Sequence, residues 1–420
     1  MTPATGYRLP ATGKSGKREA GSGKRLLVTD IGELITNPGP PGDLGIVADA
    51  AVAISGERVA WVGPGGDVPA EHRHGEVVSA GGGAVLPGFV DAHTHLVFAG
   101  DRSDEFARRL RGEPYADILA SGGGIHATVA ATRAAMSDSL VDEAAARLER
   151  MLRSGTTTVE VKSGYGLTTE HEVRILEVAV AAGVRSPVDV VPTFLAHVPD
   201  KGSDPGEYAD LVVEEIIPAT APLARYCDVF CDRGAFDVDQ SRRILEAGRA
   251  HGLQLRVHAE QLTHTGGAAL AADLRAVSAD HLDHATEEDA RLLREAGVVA
   301  VVLPAASLSM RSPRAPARML WDSGVTVALA TDCNPGTSNV ENMSLVVALA
   351  CLEMNLSPEE AVWAATRGGA LALDTPDLGS IVPGARGDLV ILDAPSHRHI
   401  PYRPGTNLVR TVVKGGEVVV

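Results

Sequence analysis

The sequence predicts a (β/α)8 barrel with a small β-sandwich domain built from both chain ends. Three observations lead there. Eight apolar, β-branched runs recur between residues 84 and 331, separated by amphipathic segments, as in parallel strands covered on both faces. The two terminal segments read as strand alone. Reactive side chains fall where the central runs stop, and a barrel carries its active site at the carboxyl ends of its strands.

The terminal runs are 26–30, 45–54 and 57–63 at one end and 387–393 and 409–420 at the other, punctuated by Gly and Pro. They predict one composite β-domain, residues 25–83 with 385–420, around a barrel at 84–384. The eight central runs are 84–92, 156–162, 188–195, 227–231, 253–259, 276–281, 298–303 and 325–331. An open doubly wound sheet is the rival architecture, but eight strands is where closure becomes natural. Helices between them carry their own end signals. Leu140, Ala144, Leu148 and Leu152 share one face before a stop at Gly155. Thr286 and Asp289 form a cap ahead of a helix ending at Gly297. Ser357-Pro358-Glu359-Glu360 opens another.

Composition narrows the partners. With 38 basic and 54 acidic residues the net charge is −16, which argues against nucleic acid or an anionic membrane. No apolar stretch approaches the roughly 20 residues of a membrane span. Four cysteines in 420 residues are too few for a disulfide framework, so reduced thiols and a cytoplasmic protein are expected. Residues 1–24 are polar and basic without an apolar signal-peptide centre, and are expected to form a tail outside the fold.

The first barrel run ends D-A-H-T-H, which puts His93 and His95 on one face of a strand. Two such imidazoles can grip one metal ion. A lone H-x-H says little, but His258 ends the fifth run, His281 the sixth and Asp332 the eighth. Core histidines satisfied by backbone would not gather at four separate strand ends.

G-F-V-D-A-H-T-H followed by His, His and Asp on three later strands resembles the amidohydrolase superfamily. So does a β-domain shared between the chain ends. The resemblance implies metal ligands at His93, His95, His258 and Asp332, with Asp332 and His281 as catalytic groups. Dinuclear members bridge two ions with a lysine on strand four, and C-D-V-F-C-D-R here has none. One Zn2+ or Fe3+ per chain is therefore expected, since a His3Asp set suits either.

Five loops narrow the resemblance: F-A-G-D-R, V-K-S-G-Y-G-L, F-L-A-H-V-P, H-A-E-Q-L and T-D-C-N-P-G-T. In this order they resemble the branch of the superfamily that opens the ring of 4-imidazolone-5-propanoate to N-formimidoyl-L-glutamate in histidine degradation. The likeness runs from about residue 26 to residue 420. It implies that Arg102, Tyr165, His197, Gln261, Asn334, Gly336 and Thr337 contact this small-molecule substrate or its product, and that the enzyme is a homodimer. Some members carry Glu at the position of Gln261. An arginine fork at Arg102 suits a propanoate carboxylate. The alternatives are a purine or pyrimidine deaminase of the same superfamily and a non-catalytic scaffold descended from it. A nucleobase lacks the carboxylate tail, and scaffolds lose ligands that are all present here.

Other candidates are set aside. His72 and His74 lie in a charged turn, and His397 and His399 in a polar connector, all expected at the surface. His264 and His284 are expected to be structural. Ser121–Gly124 reads as a flexible loop over the barrel mouth, because no strand precedes it and no lysine follows. Cys333 should turn away from the metal by strand alternation.

Overall fold

The computed structural model describes residues 24–113, 117 and 122–420. The expected tail up to residue 23, and Ser121 of the glycine-rich run, lie outside the described residues.

Eight parallel strands follow one another in chain order around the core: Phe89–Asp91, Thr156–Lys162, Asp189–Ala196, Tyr226–Cys231, Gln254–Ala259, Ser278–His281, Val299–Val302 and Val327–Leu329. The first and eighth meet at a seam. There Asp332 N donates to His93 O at 3.0 Å, and His95 N donates to Cys333 O at 3.0 Å. Thr94 and Cys333 form a parallel bridge at the same place. An open sheet would hold these strands at opposite edges, so the rival architecture is excluded.

One expected strand divides. The run 84–92 is cut at Pro87-Gly88, and its first half leaves the barrel. Ala84–Pro87 pairs antiparallel with Leu389–Leu392 and parallel with Glu33 and Leu34. Proline has no N–H to extend a ladder. A Cβ on Gly88 would lie 2.3 Å from Thr157 Oγ1, so only glycine lets the chain pass this close. One apolar run thus serves two sheets.

The terminal sheet has eight strands, seven of them in one continuous hydrogen-bonded order. Glu417–Val418, Val409–Lys414 and Leu389–Leu392 come from the chain end, followed by Ala84–Pro87, Arg25–Leu34, Val47–Ser55 and Arg58–Pro64. A short strand the sequence did not signal, Glu76–Ser79, runs parallel beside Arg25–Leu34. Val28, Ile31, Leu34, Val52, Val85, Leu389, Ile391 and Val413 pack together as the buried face.

The helix signals hold. Ser137–Arg153 buries Leu140, Ala144, Leu148 and Leu152, and the chain turns at Gly155, whose φ of 92° favours glycine. Thr286 and Asp289 cap Glu287–Ala296 reciprocally, and left-handed Gly297 ends it. Ser357 and Glu360 do the same for Pro358–Trp363.

The expectation for His397 is corrected. It is fully buried, with its N–H 2.8 Å and its Nδ1 2.7 Å from Glu33 Oε1. The connector itself stays at the surface, with Asp393, Pro395 and Arg398 exposed, but it turns the His397 ring inward onto Glu33, whose carboxylate makes that burial tolerable. His399 is half-buried, while His74 is exposed as expected.

The helical segment after Trp363 presses on the barrel seam. A Cβ on Gly368 would lie 2.4 Å from Val327 O on the eighth strand, and one on Gly369 2.3 Å from Val90 O on the first. Both obstacles are backbone, so neither can swing aside. Gly369→Ala is expected to destabilise the protein by about 1–3 kcal/mol through overpacking. The urea unfolding midpoint checks this, and an unchanged midpoint would mean the seam has slack.

Candidate metal centre and substrate loops

The barrel brings its predicted ligands together. His93, His95 and Asp332 offer ligand atoms within 4.8 Å of one another, and so do His93, His258 and His281. All five residues are buried. Asp332 Oδ1 lies 3.5 Å from His93 Nε2 and 3.6 Å from His95 Nε2. The His93 and His258 rings are 4.5 Å apart, and His281 stands 5.3 Å from each.

Aspartates determine which nitrogen two of the rings present. His93 Nδ1 pairs with Asp280 Oδ2 at 2.7 Å, and His258 Nδ1 with Asp228 Oδ1 at 3.1 Å. A carboxylate on Nδ1 draws the proton there and leaves Nε2 as a lone pair aimed into the site. Nε2 of both residues is buried with no hydrogen-bond partner. Burial drives His93, His95 and His281 well below the usual imidazole range, so the rings are neutral, the form a metal needs. Neutral imidazoles, orphaned lone pairs and one carboxylate converging on a buried centre fit a metal ion.

The strands release these residues through unusual backbone. Glu260, His281, Leu282 and Asp332 all have positive φ, from 52° to 75°. Such conformations persist only where surrounding structure enforces them. Asp332 is held by a loop staple. Asn334 Nδ2 donates to Asp332 O at 2.7 Å and to Thr337 Oγ1 at 2.8 Å, and Asn334 Oδ1 accepts from the Gly336 and Thr337 amides. Thr337 Oγ1 in turn reaches Asp332 Oδ2 at 3.2 Å. Burial pushes the Asp332 carboxyl well above its ordinary range, against these hydrogen bonds.

The expected substrate residues separate into two groups. Tyr165 and His197 flank the metal cluster, with rings 5.7 Å and 5.4 Å from that of His95. Burial, with His258 next, lowers His197 to about 3, and burial raises the Tyr165 hydroxyl. Arg102, Gly336 and Thr337 line a neighbouring cavity of about 750 Å³, together with Phe106, Arg147 and Leu345. A Cβ on Gly336 would lie 2.3 Å from Arg102 Nη1, so Gly336 makes room for the guanidinium. Asn334 lies beside Gly336 and Thr337, with all four of its side-chain hydrogen-bond positions used inside its own loop. Arg102 is already engaged, since its Nε donates to Glu105 Oε2 at 3.0 Å and its Nη2 to Glu105 Oε1. Gln261 stands half-buried after the fifth strand, with its amide N 3.0 Å from Asp232 Oδ2.

The sequence reading missed the carboxylates that shape these loops. Glu172 accepts from the amides of Gly164, Gly166 and Leu167 around Tyr165. Asp232 does so for Gln261 and Leu262, and Glu260 for Thr265, Gly266 and Ala268. Glu105 holds Gly124 N at 2.9 Å. His264 pairs with Asp289 at 2.9 Å, a structural role as expected. Also missed were Glu160, Lys162, Asp228, Arg256 and Asp280, all fully buried on the barrel strands. Charged letters inside otherwise apolar strands were the available signal.

A closed parallel barrel with three imidazoles and a carboxylate at its strand ends has the arrangement of a metal-dependent hydrolase. The amidohydrolase family model matches residues 84–419. Imidazolonepropionase of Streptomyces griseus is 50% identical over 94% of this chain and 99% of its own length. That of Salinispora arenicola is 52% identical over 93% and 98%. The chain therefore belongs to the amidohydrolase family, and within it to the imidazolonepropionases. Among solved structures, atrazine chlorohydrolase from Arthrobacter aurescens complexed with zinc shares the fold, with TM-score 0.71 at 19% identity over 94% of this chain and 95% of that one. An adenosine deaminase from Xanthomonas campestris with bound zinc gives 0.69 at 22% identity, over 94% and 92%. Among the described residues no helix is long and apolar enough to cross a membrane.

His258→Ala should largely empty the site, because it removes one ligand from a preorganised set. Elemental analysis of the purified variant checks this, and wild-type metal content would remove His258 from the centre.

Proposed function

We propose that this chain hydrolyses the ring amide of 4-imidazolone-5-propanoate to N-formimidoyl-L-glutamate with one zinc or iron ion per chain, held by His93, His95, His258 and Asp332. The observation that carries this reading is the Arg102 guanidinium in a cavity wall joined to the ligand cluster through Thr337, with Glu105 engaging its Nε and Nη2 and leaving Nη1 for a substrate carboxylate. The near-full-length likeness to imidazolonepropionases supports it. A nucleobase would give that arginine no carboxylate to bind. The resemblance and the free cysteines also support our reading of a cytoplasmic homodimer.

A metal ion bound there supplies an acidified water and a Lewis acid for the ring carbonyl. Asp332 takes a proton from the attacking water, because its Oδ1 faces the ligand imidazoles while Thr337 steadies Oδ2. The water oxygen bonds to the carbonyl carbon and the ring C–N bond breaks. Its electron pair leaves on the amidine nitrogen, which takes the proton back from Asp332. His281 is neutral and its Nδ1 has no partner, so its ring is free to orient toward the oxygen on which charge develops. Arg102 and the Tyr165 and His197 loop ends hold the propanoate-bearing side of the ring.

The direct test is to supply 4-imidazolone-5-propanoate to metal-loaded protein and detect formiminoglutamate. In the same assay Arg102→Ala should lower kcat/KM roughly 30- to 150-fold, the equivalent of about 2–3 kcal/mol from a lost charge-assisted pair. Unchanged kinetics would show that another group reads the tail. With zinc in excess, Asp332→Asn should keep product binding while kcat falls by several orders of magnitude. Near wild-type turnover would transfer the proton role elsewhere, with His281 the next candidate.

A further inference from the structure

Beneath the ligand cluster, four barrel strands turn charged side chains into the barrel. Glu160 and Lys162 come from the second strand, Asp228 from the fourth, Arg256 from the fifth and Asp280 from the sixth, every one at 0% exposure. Charges so placed are tolerated only when paired and hydrogen-bonded. Lys162 Nζ lies 2.9 Å from Glu160 Oε1, 2.7 Å from Asp228 Oδ2 and 3.6 Å from Asp280 Oδ2. Arg256 Nη2 lies 2.9 Å from the same Asp280 oxygen. Its two terminal nitrogens also bond Ala372 O and Ala92 O at 2.7 and 2.8 Å, which fixes the guanidinium to backbone. Ser278 Oγ occupies the other Asp280 oxygen at 2.5 Å.

Each aspartate thus has two neighbours of different kinds. Asp228 puts one oxygen on Lys162 and the other on the His258 ring. Asp280 puts one oxygen on Arg256 and on the His93 ring, with Lys162 alongside. A carboxylate pinned by a cation cannot rotate away from its imidazole without breaking a charge-assisted bond. Lys162 is the element common to both pairs. An ammonium with three donors suits three carboxylates converging from different directions, which a planar fork does not.

We propose that Lys162 is a positioning residue for the metal centre, acting through Asp228 on His258 and, with Arg256, through Asp280 on His93. Both rings then present Nε2 to the ion without needing to reorganise. The second strand, which supplies no ligand, would in this way set the affinity of the centre. The inference rests on His93 and His258 being ligands, and its test keeps the two apart.

Zinc affinity of the metal-free full-length protein is measured by chelator competition, alongside the melting of each metal-free variant. Lys162→Met is expected to weaken zinc binding about 10- to 100-fold, the usual effect of losing support behind a ligand. Asp228→Asn should do the same. The double variant should bind more weakly than Asp228→Asn alone, but by less than the full Lys162→Met effect, because the Asp228 route is shared and only the Asp280 route is left to lose. A purely structural lysine would lower the melting temperature and leave zinc affinity intact. Native affinity in Lys162→Met, with His258→Ala unable to bind, overturns the inference alone. Native affinity in both overturns the ligand assignment and the inference with it. If Lys162→Met does not fold because it strands a buried aspartate, the double variant removes that charge and carries the test against Asp228→Asn: zinc affinity below that of Asp228→Asn, from loss of the Asp280 route, supports the proposal, and affinity equal to that of Asp228→Asn refutes it.

Discussion

The seam between the first and eighth barrel strands is the constraint on which the site depends. Residues 93, 95 and 332 are far apart in the chain and become neighbours only because the ring closes there. Two backbone hydrogen bonds and one bridge do the closing. Asp91 reinforces them from below, accepting Thr331 N at 3.0 Å and Thr331 Oγ1 at 2.6 Å across the same junction. Burial raises that carboxyl to about 7. Gly368 and Gly369 let a helical segment lie directly against the backbone of both strands. Ligand geometry is therefore a property of barrel closure before it is a property of any loop.

The loops above the barrel meet a second demand. Buried backbone N–H groups outside a ladder need acceptors, and at this rim carboxylates supply them. Glu172, Asp232 and Glu260 each gather two or three amides of one loop. Glu105 joins Arg102 to the glycine-rich segment at Gly124. Glu260 shows how position misleads. It is adjacent to Gln261, at the mouth of a hydrolase, yet both its oxygens are taken by backbone. Acidic residues at this rim act mostly as architecture, while Asp332 turns an oxygen toward the Nε2 atoms of His93 and His95.

Much of this was legible in the sequence, for reasons that differ by element. The barrel strands could be read because strands buried on both faces are continuously apolar, and 156–162 was placed to the residue. Capped helices could be read because Thr286, Ser357 and Gly297 act locally. The candidate ligands stood out through their placement at strand ends. The division at Gly88 was hidden because both halves of the run are equally apolar and only tertiary contact separates them. His397 was misjudged because the composition of its connector is polar and its burial depends on Glu33, at the other end of the chain. The internal hydrogen bonds of Asn334 were hidden because a polar residue beside a candidate ligand gives no sign in the sequence of how its own loop folds around it. Lys162 and its partners were overlooked because a strand was read for its apolar letters, while the alternate positions of T-V-E-V-K carry the charge.

The order in which the chain is made adds a difficulty that the finished fold conceals. Ala84–Pro87 sits between Arg25–Leu34 and Leu389–Leu392, so one of its edges stays open until roughly 300 more residues have emerged from the ribosome. At ordinary rates of translation that interval is about 15–60 s. Throughout it, an apolar strand edge is available to any other nascent chain. The first sheet to be synthesised is among the last to be finished, and a cell making this protein must shelter that edge for the duration of one round of translation.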